Sequence, residues 1–575
     1  MLIKEIYNNF LLPIEFDKSK KEIIDNLYKD LELLESDDIK KKSIYERVFN
    51  PSSDIGKECL KKWCKNYTTN PKFLKDSQKL YKNLDILHET SLEQESAQEC
   101  WDSWNNIKSM PNFYEKFQYI EWENLQFLNK SDLFLTILTF YQIISPVLSL
   151  LTPIILLIIP FLILKILKKP ITVELYVDVL KQQLDKHGMG QLLTRFNILT
   201  ISQKAYLIMC CGMYVYQIYQ NIIACYQFYM NTKLITSIFR SMKTHLNYTK
   251  INMNKYIKLI EGLKSYKLYK EYLIDKLKEI DDLYVIIDNI PLASLNPNKM
   301  ISIGKTMKEF YLLQTCPNIE KLILFTFGFN GYINTLNGLN NNIKKKYINP
   351  IKISRKKTVT LKMNDLYHPS IKNNIITNNI DLNKNQLITG PNAAGKTTIL
   401  KASIINVLLS QQLGYGFYKG GIITPFDVIH CYLNIPDTNS RDSLFQAEAR
   451  RCFNILESIK KDNKQKHFCI FDELYSGTNP YEAVATAYAY LDFISTNPNV
   501  RFMLTTHYIR LCELLKNHKA ISNYNMETTI INNNANYTYK IIKGISQIKG
   551  AVIVLKQLNY PNEILEKADN IMKKI

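Results

Sequence analysis

Apolar residues recur at three-to-four spacing from the amino terminus to about residue 130 and predict helices with one buried face. The pattern then breaks. From Leu133 to Leu164, 32 residues, no side chain is charged, whereas about 20 apolar residues suffice to cross the hydrocarbon layer of a bilayer. Tyr141 lies within the run and Lys165, Lys168 and Lys169 close it, as interfacial anchors do. Pro146, Pro153 and Pro160 are seven residues apart, which predicts a kinked or broken helix. A second uncharged stretch, Ala205 to Thr232, is also long enough to span, but Gln217, Gln220, Asn221 and Gln227 would need partners there. It reads either as a second span, over 205–230, or as a buried helix of a soluble bundle. Between the two, Pro170 to Lys204 predicts one amphipathic helix with a short tail.

From Lys233 the helical pattern returns, and "GFNGYINTLNGLNNN", Gly328 to Asn342, reads as a linker or loop cluster. After about Lys352 strands and helices alternate, the signature of an α/β domain. The expected organisation is a helical part over 1–130, a hydrophobic transmembrane region over 131–232, a helical core or lever over 233–350 and an α/β domain over 351–575.

The chain length of 575 residues allows two to four domains, and 46% hydrophobic with 22% charged residues excludes a disordered chain. A formal net charge of +20 favours anionic partners, namely nucleic acid, anionic lipid or nucleotide. Lysine carries most of it, and the joint abundance of Asn, Ile, Lys and Tyr is the mark of AT-rich coding. A solvated lysine surface and a nucleic-acid face therefore both stay open. The 11 cysteines have no framework spacing. Cys59 and Cys64 lack a second pair or a histidine cluster for zinc, and Cys210-Cys211 lies in an apolar run, so free thiols in a reducing compartment are expected. "MLIKEIYNNFLLPIEF" lacks the basic-then-apolar order of a signal peptide.

"GPNAAGKTT" fits the phosphate-loop pattern G-x-x-x-x-G-K-[ST], between a strand "NQLIT" and a helix "TTILKASIINVLL". Gly390, Pro391, Asn392, Ala393, Ala394, Gly395 and Thr398 would form the backbone cradle. Lys396 would reach the β- and γ-phosphates and Thr397 would ligate magnesium. "HFCIFDELYSGTNP" predicts a buried strand ending in Asp472, a magnesium ligand through water, and Glu473, which would orient the attacking water. A third strand, "VRFMLTTHY", ends in His507, a candidate γ-phosphate contact because parallel strands deliver their carboxyl ends to one crevice.

These segments resemble the MutS family of DNA-mismatch-repair ATPases. "TGPNAAGKTT" is similar to its TGPN-x-x-GKST, with Ala393-Ala394 as a departure. "FDELYSGTNPYEA" carries Gly477, Thr478 and Glu482 in the family's places, "TTHY" resembles its strand end, and "DSLFQAEARRCFNIL" supplies Ser443, Phe445 and Glu448. "LYHPS" resembles its HP element, and Asn378 falls at the nucleotide-contacting Asn ahead of the loop strand. The tail beginning "KGISQIKGAV" resembles the closing helix pair, with Pro561 at a helix start. Near the amino terminus Gly56, Leu60 and Trp63 match the opening of the family's helical core, while its following proline is out of register, with Tyr67 in that place, and its arginine is missing. An LSGGQ-type segment and a long heptad coil, marks of two other ATPase classes, are absent.

The resemblance implies an α/β P-loop ATPase domain of ABC/MutS-like fold at the carboxyl end, behind an all-α core with an inserted transmembrane region. It implies ATP and Mg2+ as cofactors, a homodimer, and Ser443 of one subunit reaching the γ-phosphate held by the other. Only about 40 residues precede the core, too few for a mismatch-reading domain, and Phe113-Tyr114-Glu115 is a decoy for the family's F-x-E wedge. The expected function is a membrane-tethered ATP switch that binds DNA without mismatch specificity, with its ATPase domain facing the cytoplasm. The alternatives are a membrane switch acting on protein partners and a mismatch repair protein.

Overall fold

The structure, a computed structural model, describes residues 3–36, 38, 41–87, 91–186, 200–290, 303–371, 373–433, 444–531, 534–546, 555, 558 and 560–574. The chain divides into two compact units, Met1–Ser91 with Thr249–Lys278 and Leu324–Ile575, and Leu92–Tyr248 with Glu279–Ile323.

The first unit is built on a six-stranded sheet with strands β1 (Asn385–Thr389), β2 (Val428–Tyr432), β3 (His467–Asp472), β4 (Val500–Thr505), β5 (Ile521–Ile531) and β6 (Asn534–Lys543). Their order is β2-β3-β4-β1-β5-β6, parallel except for β6, which pairs antiparallel with β5. All of β1 and the first five residues of β3 are buried, as expected of parallel strands covered on both faces. This is the expected α/β domain.

The amino-terminal segment of this unit is mainly helical, but Lys20–Glu22 pairs antiparallel with Asn66–Thr68, a small sheet that the helical expectation did not contain. It docks on the far end of the phosphate-loop helix, Lys396–Gln412, through buried amides. Gln412 Nε2 donates to the carbonyls of Trp63 (2.7 Å) and Asn66 (2.9 Å), and Gln411 Nε2 to that of Thr68 (3.3 Å). Gly56 lies in helix Asp54–Trp63, where a Cβ would strike Asn334 Oδ1, and Trp63 stacks on Phe49 at 4.7 Å. Those two residue types are thus required by packing.

The linker expected over Gly328–Asn342 is wrong. These residues lie inside the 28-residue helix Pro317–Lys344. Its glycines mark close approach: a Cβ at Gly328, Gly331 or Gly338 would strike Phe10, Tyr7 or the Phe49 carbonyl. Its asparagines satisfy buried backbone. Asn334 Oδ1 accepts from Ser52 N at 3.0 Å, and Asn342 Nδ2 donates to the carbonyls of Arg47 (2.9 Å) and Val48 (2.8 Å). Gly and Asn here serve tertiary contact, and the helix is kept by packing in spite of low propensity.

In the second unit Phe113 is buried and its ring lies 5.3 Å from Phe117 and Tyr119 and 5.6 Å from Phe310, so it is a core aromatic. The first apolar run forms one uninterrupted helix, Asp132–Ile166, so it is not broken at its prolines. Seven residues are close to two helical turns, which puts the three prolines on one face and confines the lost hydrogen bonds to it. Gly304 lets helix Ile303–Thr315 meet this helix backbone to backbone, since a Cβ there would strike Asp132 O. Helix Val173–Leu184 returns along it, with Tyr176 Oη donating to Leu157 O at 2.7 Å. The second apolar stretch begins a 59-residue helix, Ile201–Leu259. Within it Gln217 Nε2 donates to Asn221 Oδ1 at 3.0 Å, one turn on, so two of the amides partner each other.

Both helices carry their apolar side chains outward. Leu133, Ile137, Ile154 and Leu157 on one, and Tyr206, Met213, Tyr216 and Tyr219 on the other, are more than half exposed. Of the apolar window Asp132–Ser149, 19% is buried, and of the 18-residue apolar window within helix Ile201–Leu259, 11%. Over these uncharged stretches much apolar surface is left uncovered, whereas from Ile235 onward the second helix buries Ile235, Phe239, Met242 and Leu246.

Candidate nucleotide site

The site gathers at the carboxyl ends of β1, β4 and β3, which are neighbours in the sheet. The phosphate loop turns from β1 into the helix Lys396–Gln412, whose cap residue Gly395 has φ +92, a left-handed value that glycine adopts without cost. A Cβ at Gly395 would also sit 3.2 Å from the Tyr539 ring. The loop backbone and the helix amino terminus are therefore free to face an anion.

Lys396 is buried; its ammonium bonds to the carbonyls of Gly390 (3.0 Å) and Pro391 (3.2 Å) and lies 2.9 Å from His507 Nε2. Burial lowers its pKa, against the pull of Glu473 and Asp472. Thr397 Oγ1 donates to Asp472 Oδ2 at 2.8 Å, and Thr505 Oγ1 donates to Asp472 Oδ1. Hydroxyl and carboxylate so placed are the oxygen donors a magnesium ion takes beside phosphates, and they fit that group. Glu473 Oε1 is 3.2 Å from His507 Nε2, and this hydrogen bond holds the carboxyl below its ordinary pKa although burial opposes it. Glu473 has φ +55, a conformation costly for a residue with a Cβ, and its N–H bonds Thr505 O at 3.0 Å.

A cavity of about 510 Å³ opens beside the loop. Asn392, Ala393, Gly395, Lys396, Thr397, Thr398 and Glu473 line it, together with Asn378. Ala394 is buried beneath. Asn378 does not present a free amide: Nδ2 donates to Tyr539 O at 3.0 Å and Oδ1 accepts from Ile541 N at 2.8 Å. It holds β6 against the wall while lining the cavity.

Among the wall residues that sequence reasoning did not name as site residues are His368, Ile371, Met526 and Tyr539. His368 belongs to "LYHPS", a signal already in view, and burial lowers its pKa to about 4, so it stands neutral. Met526 and Tyr539 come from β5 and β6, where no local motif marks them. Ser443 lies outside the described residues. The helix that follows it, Leu444–Lys461, carries buried Glu448, whose carboxylate accepts from Ser476 N (3.1 Å), Ser476 Oγ (2.8 Å) and Gly477 N (3.1 Å), fixing the loop after Glu473. All 11 cysteines are free, and no metal-binding cluster of His, Cys, Asp and Glu occurs among the described residues.

Residues 386–575 match the family model MutS domain V. The chain is 29% identical over 213 residues to the DNA mismatch repair protein MutS of Persephonella marina, covering 36% of this chain and 24% of that one. It is 30% identical over 192 residues to that of Bacteroides fragilis, covering 33% and 22%. The chain thus spans about a quarter of the length of the curated relatives it matches. Loop, acidic strand end and strand-end histidine meet in one crevice inside the matched region, and on that carboxy-terminal third the chain is a divergent member of the MutS family.

Proposed function

We propose that this protein is a membrane-tethered, dimeric ATP switch that binds DNA without reading mismatches. The observation that carries the ATPase part is the bond from Thr397 to Asp472, with Lys396, His507 and Glu473 converging beside it. Lys396 would exchange its loop carbonyls for phosphate oxygens. Thr397 and Asp472 would hold magnesium, which supplies charge neutralisation to the phosphates. Glu473, kept ionised by His507, would orient the water. Hydrolysis in one subunit would also need Ser443 of the partner subunit, so turnover would report dimer formation.

The exposed apolar helices support the tether. A bilayer removes such surface from water without asking for a protein partner, and 133–164 offers no charge to be desolvated. The ATPase domain would face the cytoplasm, where ATP is. Carbonate extraction of membranes tests this: the chain should stay in the pellet, and the variant Leu148→Lys/Ile158→Lys should be released, at about 2.5–3.5 kcal/mol per mid-span charge. Recovery of the unaltered chain in the soluble fraction without detergent would reject the tether.

One observation favours a second reading, a membrane switch that moves protein partners and binds no DNA. The stretches 133–164 and 205–232 present uncharged surface, whereas DNA backbones are gripped by cations. DNA affinity measured against salt separates the two, because phosphate contacts make log K fall steeply with log salt.

A further inference from the structure

Two acidic residues near the amino terminus reach the phosphate-loop helix, which lines the nucleotide cavity, and helix Leu444–Lys461, which braces the loop after Glu473. Asp30 closes the short helix Asp25–Asp30, and its Oδ2 accepts from Arg451 Nη2 at 2.6 Å. The same nitrogen donates to Cys431 O, 2.7 Å away at the end of β2. Two residues on, Glu32 Oε1 pairs with Lys401 Nζ at 3.0 Å. Side-chain exposure is 17% and 12% for Arg451 and Asp30, and 18% and 29% for Lys401 and Glu32, so neither pair is a solvated surface contact.

The positions of the basic partners give this bridge its meaning. Lys401 is one turn beyond Thr397 on the phosphate-loop helix. Arg451 is one turn beyond Glu448, which grips the loop after Glu473. Lys401 and Glu32 also lie close enough to His368, on the cavity wall, to act on its charge. The acidic segment itself is held by backbone bonds, Ile44 N to Glu32 O (3.2 Å) and Tyr45 N to Leu33 O (3.0 Å). Tyr45 Oη in turn donates to Gln412 Oε1 (2.9 Å) at the far end of the phosphate-loop helix.

We infer that Asp30 and Glu32 are positioning residues for ATP turnover, which fix the Leu444–Lys461 helix relative to the phosphate-loop helix and so set Glu473 for the chemical step. They touch no nucleotide themselves. A charge pair held out of water has a steep optimum in geometry, so it fixes the relative placement of two helices more tightly than apolar contact does. The inference rests on the proposed ATPase activity.

The test compares the full-length protein in detergent with its Asp30→Asn, Glu32→Gln and Asp30→Glu variants, and with Glu15→Gln as control. Glu15 forms a more covered pair with Lys62, at 3.3 Å and 14% and 7% exposed, with both partners inside the amino-terminal segment. Asp30→Asn and Glu32→Gln should each lower kcat at least about fivefold while KM for ATP changes less than about twofold. Asp30→Glu should recover part of the loss, and Glu15→Gln should keep kcat. Normal kcat in both Asp30→Asn and Glu32→Gln overturns the inference, as does an equal loss in Glu15→Gln, which would mark a merely structural role. Should Asp30→Asn fail to fold, Glu32→Gln, whose pair is the more exposed, decides. Absence of turnover in the unaltered protein would overturn the proposed function, and this inference with it.

Discussion

Thr397 Oγ1 and Asp472 Oδ2 are 2.8 Å apart, joining the first turn of the phosphate-loop helix to the end of β3 across the intervening strand β4. A hydroxyl on the loop and a carboxylate some 75 positions later along the chain thus form one oxygen pair. Thr505, on the strand between them, hydrogen-bonds to the other oxygen of that carboxylate.

Glu473→Gln keeps the shape of the side chain and removes the charge that orients water. ATP binding should persist within about threefold, while turnover should drop by at least about 100-fold, with nucleotide-bound dimer accumulating. Single-turnover hydrolysis together with size-exclusion chromatography in ATP measures both. Unchanged turnover would remove Glu473 from the mechanism.

The pH profile of turnover should depend on His507. Its hydrogen bond lowers the Glu473 pKa, so the carboxylate stays ionised above that lowered value and activity is lost only as the pH falls through it. His507→Ala removes the lowering contact and leaves burial, which raises the pKa. The acid limb of kcat should therefore move to higher pH. An acid limb that stays in place, or moves down, would show that Glu473 is not the group being read.

Gly338→Ala and Gly212→Ala should act in opposite directions. A Cβ at Gly338 strikes the Phe49 carbonyl, whereas at Gly212 it meets open space. The first should destabilise by at least about 1–3 kcal/mol. The second should stabilise its helix by about 0.5–1 kcal/mol. Melting temperatures of the two variants check this, and equal values would contradict the tight seating of helix Pro317–Lys344.

Mismatch discrimination needs an aromatic free to enter a kinked base step, and Phe113 is buried among three rings. Phe113→Ala should cost about 3–5 kcal/mol of stability and leave any DNA affinity indifferent to mismatch. Binding to homoduplex and to a G·T duplex at matched salt is the measurement. A tenfold preference for the mismatch, about 1.4 kcal/mol, abolished in Phe113→Ala would contradict the assignment.

The sequence by itself determined the phosphate loop, the acidic strand end, the α/β domain around them and the two apolar stretches. Each is a local property. A phosphate loop needs particular backbone freedom within eight residues, and a bilayer-length run is a matter of uninterrupted composition. Tertiary structure alone decided the rest. The same Gly and Asn residues that suit a linker form a buried helix between Gly328 and Asn342, because Phe10, Tyr7 and Phe49 approach too closely for a Cβ and distant carbonyls consume the amides. Asn378 clasps β6 from the cavity wall, and Met526 and Tyr539 entered that wall from strands far along the chain. Asp30 and Glu32 met their basic partners across some 370 to 420 positions. Whether a small or polar residue marks a turn or a contact depends on what lies within a few ångströms of it, and chain order does not record that distance.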